Sequence, residues 1–278
     1  MTVIAMTREI GCGGTEVAAG VAAALGLKIV NSEIVVSTAA GSLGMTPSTV
    51  QRYLDGTASL FERWQIDKRK LSRFTSEQIF ALAREGNVLI RGWGAGALFR
   101  DIPHVISVRV CAPGALRERA MMERLGMSDV DDVRDEIARF DAAHDSAMRA
   151  SFDIDRADAL LYHLVLNTGR VPVDACVKMI CQLASDPRFQ DDAVTHSAIT
   201  DKLLESRVRA FLTERIGVEM ASITVAASNA KLIFRGVTSN GNLRARVEKL
   251  AREVEGVAEI DNQIASVPSV SVRFGGAV

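Results

Sequence analysis

The residues best placed to do chemistry lie near the start of the chain, in the run Thr7-Arg8-Glu9-Ile10-Gly11-Cys12-Gly13-Gly14-Thr15-Glu16. A short apolar stretch, residues 3–6, precedes it, and an alanine-rich stretch with helical spacing follows. Strand, glycine turn and helix N-terminus together turn backbone N–H groups toward a phosphate. Gly11, Gly13 and Gly14 allow backbone conformations that other residues resist. The candidate cradle is therefore Gly11, Cys12, Gly13, Gly14 and Thr15. A tight turn without a ligand is the other reading of the same residues. The lysine of G-x-x-x-x-G-K-[ST] is missing, and Gly14 stands in its place. Cys12 has the setting of a reactive thiol, close to a helix start. A small residue filling a serine-like slot is the preferred reading of it.

Such a loop works only if a sheet delivers it to an open edge. Residues 1–185 alternate strand and helix signals. Strands are expected at 3–6, 88–91, 105–111 and 161–167, each a nearly continuous apolar run as in parallel strands covered on both faces. Helices are expected at 15–25, 76–85, 115–125, 130–150 and 173–184, with mostly helical structure across 32–70. This pattern predicts an α/β fold, a parallel sheet flanked by helices, with ligands beyond the carboxyl ends of the strands. Arg91 follows the second apolar run and is placed to meet an anion at that edge. A polar stretch, 186–196, reads as a linker. The order helix–strand–strand–helix–strand over 197–268 reads as a small α+β (αββαβ) module, and 269–278 as a tail.

The chain has 278 residues, 48% hydrophobic and 24% charged, with a formal net charge of −1. That balance offers no electrostatic case for nucleic-acid binding, and aromatics at 5% offer no stacking platform. No apolar run approaches a membrane span. Strand-like sequence begins at residue 3 without a basic region or cleavage site, so the expectation is a cytoplasmic protein with no secretory signal. Cys12, Cys111, Cys176 and Cys181 have no C-x-x-C spacing and no nearby histidine, and read as free thiols rather than a metal site.

Three motifs in order then resemble the cytidylate kinase-like family, a branch of the P-loop nucleoside monophosphate kinases: MTREIGCGGTEVA (6–18), LIRGWGAGALFRD (89–101) and HLVLNTGRV (163–171). The resemblance covers nearly all of residues 1–184. It implies ATP-dependent phosphoryl transfer to a nucleoside monophosphate, CMP or a relative, with ATP and Mg2+ as cofactors and catalysis by positioning and electrostatic stabilisation. It also implies the site residues. Arg8 matches the family and either reaches across the loop or pairs with Glu9 or Glu16. Arg100 matches a substrate-side arginine, or pairs with Asp101. Arg117, rather than Arg124, is the ATP-side candidate. The segment 128–150 takes the place of a mobile lid, which makes Arg139 and Arg149 catalytic candidates and Asp141 a substrate-side candidate, while Arg134 reads as solvated surface. Three positions depart from the pattern. Thr15, Trp93 and His144 stand where the family carries arginine. Trp93 reads as a base-stacking surface, a lid or a packing residue.

The C-terminal module resembles a BON domain, through LIFRGV (232–237), the helix RARVEKLAREVEGV and the closing VAEIDNQI. That resemblance implies a binding or oligomerisation module with peripheral lipid contact as one use, although Arg244, Arg246, Lys249 and Arg252 read first as a solvated helix face. The chain is thus expected to be a nucleotide kinase. The alternatives are a catalytically weak nucleotide-binding regulator, or a scaffold acting through the BON module.

Overall fold

The computed structural model describes residues 1–31, 68–92, 94–190 and 193–267, with positions 40, 41, 46 and 48 besides. It forms two compact units, Met1–His196 and Ser197–Val278.

In the first unit β1 (Val3–Arg8), β2 (Lys28–Val30), β3 (Val88–Arg91), β4 (Ile106–Cys111) and β5 (Leu164–Asn167) make one sheet in the order β2-β3-β1-β4-β5. Every adjacent pair is parallel. Parallel neighbours require long crossovers. These contain α1 (Gly14–Leu25), α2 (Lys68–Glu85), α3 (Ala95–Leu98), α4 (Gly114–Leu125) and α5 (Val130–Phe152), and α6 (Val173–Ala184) follows the last strand. The long apolar runs became the inner strands. Val3 to Met6 and Val88 to Ile90 are buried throughout, because helices cover both faces. β2 has only three residues, too few to show a pattern in sequence. The expected helical stretch 32–70 lies outside the described residues apart from a few positions.

The chain leaves β1 toward β2 and β3 on one side and returns to β4 and β5 on the other. β1 is thus the reversal point, and the crevice beyond its carboxyl end is where such sheets bind ligands. Around it α1 and α6 pack closely: a Cβ on Gly20 would lie 2.7 Å from a Val177 methyl, so only glycine allows that approach. At the far edge, the Ser107 N–H donates to His163 Nδ1 at 3.0 Å, and the Ser107 hydroxyl donates to Leu161 O at 3.2 Å. His163 meets Phe189 edge-on at 5.0 Å. Phe189 lies in the stretch read as a linker, yet it is buried in the core of this unit.

The second unit holds most of α7 (Ala193–Ile216), then β6 (Ile223–Ser228), β7 (Lys231–Thr238), α8 (Leu243–Ala251) and β8 (Glu259–Ser266). The sheet order is β6-β7-β8, antiparallel then parallel. Alternation buries Val225, Leu232, Phe234 and Ile264 against Leu212, Val247 and other helix residues. The β6–β7 hairpin turns on Asn229 and Ala230, both at positive φ, with their N–H groups capped by the Asp201 carboxylate at 2.7 and 3.0 Å. Gly236 lies inside β7, two residues before its end, where a Cβ would stand 2.2 Å from Ser222 O. Among the described residues no helix is long and apolar enough to cross a membrane.

Candidate functional site

The glycine loop joins β1 to α1. Gly11 and Gly13 sit at φ +75° and +70°, in the left-handed region that favours glycine. The intrahelical ladder of α1 begins where Val17 N–H donates to Gly13 O at 3.1 Å. Amides of the first turn ahead of it have no intrahelical acceptor, and the helix dipole adds partial positive charge there. The loop is held rigidly. The Thr168 hydroxyl donates to Cys12 O at 2.7 Å and to Cys111 O at 3.3 Å. Gly11 packs against the α4 backbone, where a Cβ would meet Arg117 O at 2.7 Å. Cys12 points inward and donates its thiol to Val110 O at 3.3 Å, and burial raises its pKa. It is a packing residue whose backbone alone belongs to the loop. Thr15 and Glu16 are exposed on the first turn.

Beside the loop, beyond the ends of β1 and β3, lies a cavity of about 280 Å³. Its lining includes the polar Thr7, Arg8, Arg91 and Arg124 and the apolar Phe140, Met148, Ile154 and Leu161. His144 also lines it, stacked on Phe140 with ring centroids 4.1 Å apart. The sheet places Arg8 and Arg91 together, because Met6 and Arg91 are paired in register at the ends of adjacent strands. Arg124 comes from the last turn of α4. Among the described residues none of these three arginines makes a hydrogen bond or salt bridge. Burial, then the like charge of Arg91, pull the Arg8 guanidinium below its ordinary pKa; Cys12 opposes them, Arg124 adds a smaller push in the same direction, and Glu16 opposes least. A half-buried cation facing two others, with none ion-paired among the described residues, is a site suited to an anion.

A second set of arginines is engaged by protein partners, although Arg109 Nε is buried without one among the described residues. Arg109 donates to Glu9 Oε1 at 2.8 Å and to Arg156 O at 3.1 Å. Arg117 donates to Ile10 O and to Asp141 Oδ2, both at 2.8 Å, and lies 3.7 Å from Glu9 Oε2. Arg156 donates to Asp145 Oδ1 at 2.8 Å and to Asp141 Oδ1 at 3.3 Å. Asp141 therefore clamps two buried guanidiniums and ties α5 to the loop. Ile10 supports the same junction, packed with Met121, Val133 and Ile137.

This geometry sorts the sequence candidates. Arg8 and Arg91 reach the cavity, and Glu9 pairs with Arg109 rather than with Arg8. Arg117 is buried in the network, so the preference for it over Arg124 reverses: α4 turns residue 117 inward and residue 124 toward the cavity. Asp141 is a network partner rather than a cavity-lining group. Arg139 pairs with Glu136 on an exposed face of α5, and Arg149 is exposed and outside the cavity lining. Arg100 is exposed and 3.8 Å from Asp101, the surface alternative. Trp93 lies outside the described residues. Arg156 and Tyr162 were not foreseen. Arg156 is flanked in sequence by Asp153, Asp155 and Asp158, but the carboxylates that hold it, Asp141 and Asp145, lie on α5. The Tyr162 hydroxyl donates to Arg156 O at 3.0 Å and closes the cavity wall.

Comparison with known proteins agrees with this geometry. The model of the cytidylate kinase-like family matches residues 3–170, and that of the BON domain matches residues 200–268. A search of curated proteins returns no match. Among solved structures, an uncharacterized protein from Eubacterium ventriosum is similar at TM-score 0.53 and 20% identity, covering 66% of this chain and 97% of its own. Shikimate kinase from Bacteroides thetaiotaomicron overlaps at TM-score 0.41 and 15% identity, over 66% of this chain and 97% of its own. Shikimate kinase from Acinetobacter baumannii, in complex with shikimate, overlaps at 0.40 and 16%, over 66% and 92%. The first supports the fold; the other two are too loose to add to it. A family match over more than half of the chain, on a parallel sheet with a glycine loop at its reversal point, establishes that the chain belongs to the cytidylate kinase-like family, with a BON domain following.

Proposed function

We propose that this protein is a nucleoside monophosphate kinase, transferring the terminal phosphoryl of ATP to CMP or a related monophosphate. The observation that carries the proposal is the trio Arg8, Arg91 and Arg124: three arginines without a hydrogen bond or salt bridge among the described residues, lining a cavity that Met148, Ile154, Leu161 and the Phe140–His144 stack also line. Such a cavity suits a ligand with an anionic end and a flat apolar end. The loop amides at the start of α1 cradle one phosphate, and the arginines face the other. Phosphoryl transfer needs little beyond this positioning and charge stabilisation. Helix α5, pinned by Asp141, lines the cavity with Phe140, His144, Ala147 and Met148. Magnesium fits the residues at the loop: Mg2+ takes few protein oxygens and completes its shell with phosphates and water. The Glu16 carboxylate and Thr15 hydroxyl, exposed at the first turn, are the donors that would hold it, and it would neutralise phosphate charge there.

Incubation with ATP, magnesium and each nucleoside monophosphate tests this reading, with ADP release as the readout. ADP production dependent on one monophosphate is the expected result; none with any acceptor would sink it. A second reading, a catalytically weak nucleotide-binding regulator, rests on Thr15 and Glu16, which bring no cation to the loop. Nucleotide binding without turnover would favour it. For the C-terminal unit we propose a binding or oligomerisation role. Arg244 and Arg246 donate to Asn262 O and Arg215 O, and Arg252 to Glu248, which supports the solvated-face reading over a lipid-headgroup patch. Vesicle flotation of the full chain tests that choice.

A further inference from the structure

Gly14 is a glycine that its backbone does not explain. It is the first residue of α1 and has ordinary helical conformation, unlike Gly11 and Gly13. Arg8 fills the space where its side chain would be. A Cβ on Gly14 would stand 2.9 Å from Arg8 Cβ and 3.1 Å from Arg8 Cδ. Arg8 Cβ is fixed to the strand backbone and cannot move aside, Cδ can do so only by swinging the whole stem, and Cys12 Sγ stands 3.2 Å away as well. The Arg8 stem thus lies across the start of α1, while the residue also lines the cavity with Arg91 and Arg124. It spans the phosphate cradle and the acceptor pocket.

We infer that Arg8 supplies, from the end of β1, the cation that a G-x-x-x-x-G-K-[ST] loop takes from its lysine, and that residue 14 is glycine to let the Arg8 stem cross the loop. The inference rests on the phosphoryl-transfer reading above and names the side chain that the transferred group meets. A lysine at 14 and an arginine at 8 exclude each other by sterics. The missing lysine is then a relocation of charge, not a loss. Thr15 and Glu16 need supply no cation, because the charge arrives from the strand beneath them.

The test is a mutant cycle on the full chain, read by calorimetric binding of inorganic pyrophosphate and of ATP with magnesium at two salt concentrations. Arg8→Gly is expected to weaken pyrophosphate about 10- to 100-fold and to flatten the salt dependence. Gly14→Ala in the natural background is expected to weaken it comparably, by displacing Arg8. In the Arg8→Gly background, Gly14→Ala is expected to cost less than about 2-fold, because the obstructing stem is gone. Arg8→Lys, which keeps a cation and a stem, is expected to bind with an intermediate affinity and the natural salt slope. If Arg8→Gly fails to fold by circular dichroism, Arg8→Ala, which also removes the cation, takes its place in the comparison of affinity and salt slope. Natural affinity and salt slope in Arg8→Gly, or fold-losses that simply multiply in the double variant, would overturn the inference while leaving the kinase reading intact. A natural chain that binds neither probe would overturn both.

Discussion

Replacing Asp141 with alanine removes a carboxylate shared by two buried arginines. The Arg117 and Arg156 side chains are 9% and 7% exposed, and Asp141 is 24% exposed. Breaking a buried ion pair by deleting one partner costs roughly 3–5 kcal/mol. The partial exposure of Asp141 lowers that figure. So do the remaining partners, Ile10 O for Arg117 and Asp145 for Arg156, each at 2.8 Å. About 2–3 kcal/mol remains. For a unit of this size, each kcal/mol shifts the midpoint by roughly 2–4 °C, so a fall of about 4–12 °C is expected in a thermal scan. Asp141→Asn keeps an acceptor oxygen and should lose about half as much. The urea midpoint should move without a change in slope, since the folded state stays compact. Because the same carboxylate fixes α5 over the cavity, turnover should fall in Asp141→Ala even at temperatures where it is fully folded. An unfolding midpoint within about 1 °C of the natural chain would refute the reasoning, by showing that water already satisfies both guanidiniums.

Other outcomes follow from the same geometry. Arg124→Ala should weaken binding of the monophosphate while leaving the unfolding midpoint nearly unchanged, since no hydrogen bond or salt bridge among the described residues is lost; Arg139→Ala, on the exposed face of α5, should leave both unchanged. Steady-state kinetics and a thermal scan of each variant check the pair. His163 accepts a hydrogen bond from the Ser107 N–H, and burial lowers its pKa. The unfolded chain therefore binds the proton more readily. The contribution is complete above the unfolded value of about 6.5 and is lost as pH falls through the folded value. Urea midpoints of the natural chain should drop more steeply between about pH 7 and pH 5 than those of His163→Gln. Gly236→Ala forces a Cβ against Ser222 O and should destabilise the C-terminal unit by about 3 kcal/mol. Amide exchange should then quicken in β6 and β7 and stay unchanged in β1 and β3.

Local chemistry made much of the architecture legible in sequence. Buried parallel strands must be apolar on both faces, so β1, β3 and β4 announced themselves, and the αββαβ order of the second unit followed from alternation and turn residues. Gly11 and Gly13 were readable as a loop because left-handed backbone favours glycine wherever it occurs. β2 was too short to carry a pattern. Phe189 looked like part of a polar linker because its neighbours are polar, and only the packed core shows it buried.

The site divides differently. Composition and spacing determined that a glycine cradle precedes a helix and that arginines are available; they did not determine which arginines are free. Arg117 and Arg124 lie on one helix with the same charge, and the partner at Asp141, 24 residues from Arg117, decides that one is clamped and the other faces the cavity. Sequence likewise showed Gly14 only as an absent lysine. Its meaning depends on Arg8, six residues earlier on a different element, whose stem occupies the space that a side chain at 14 would need. Propensity and periodicity are properties of neighbours along the chain, whereas charge pairing and excluded volume are properties of neighbours in space, so only the tertiary structure could decide them.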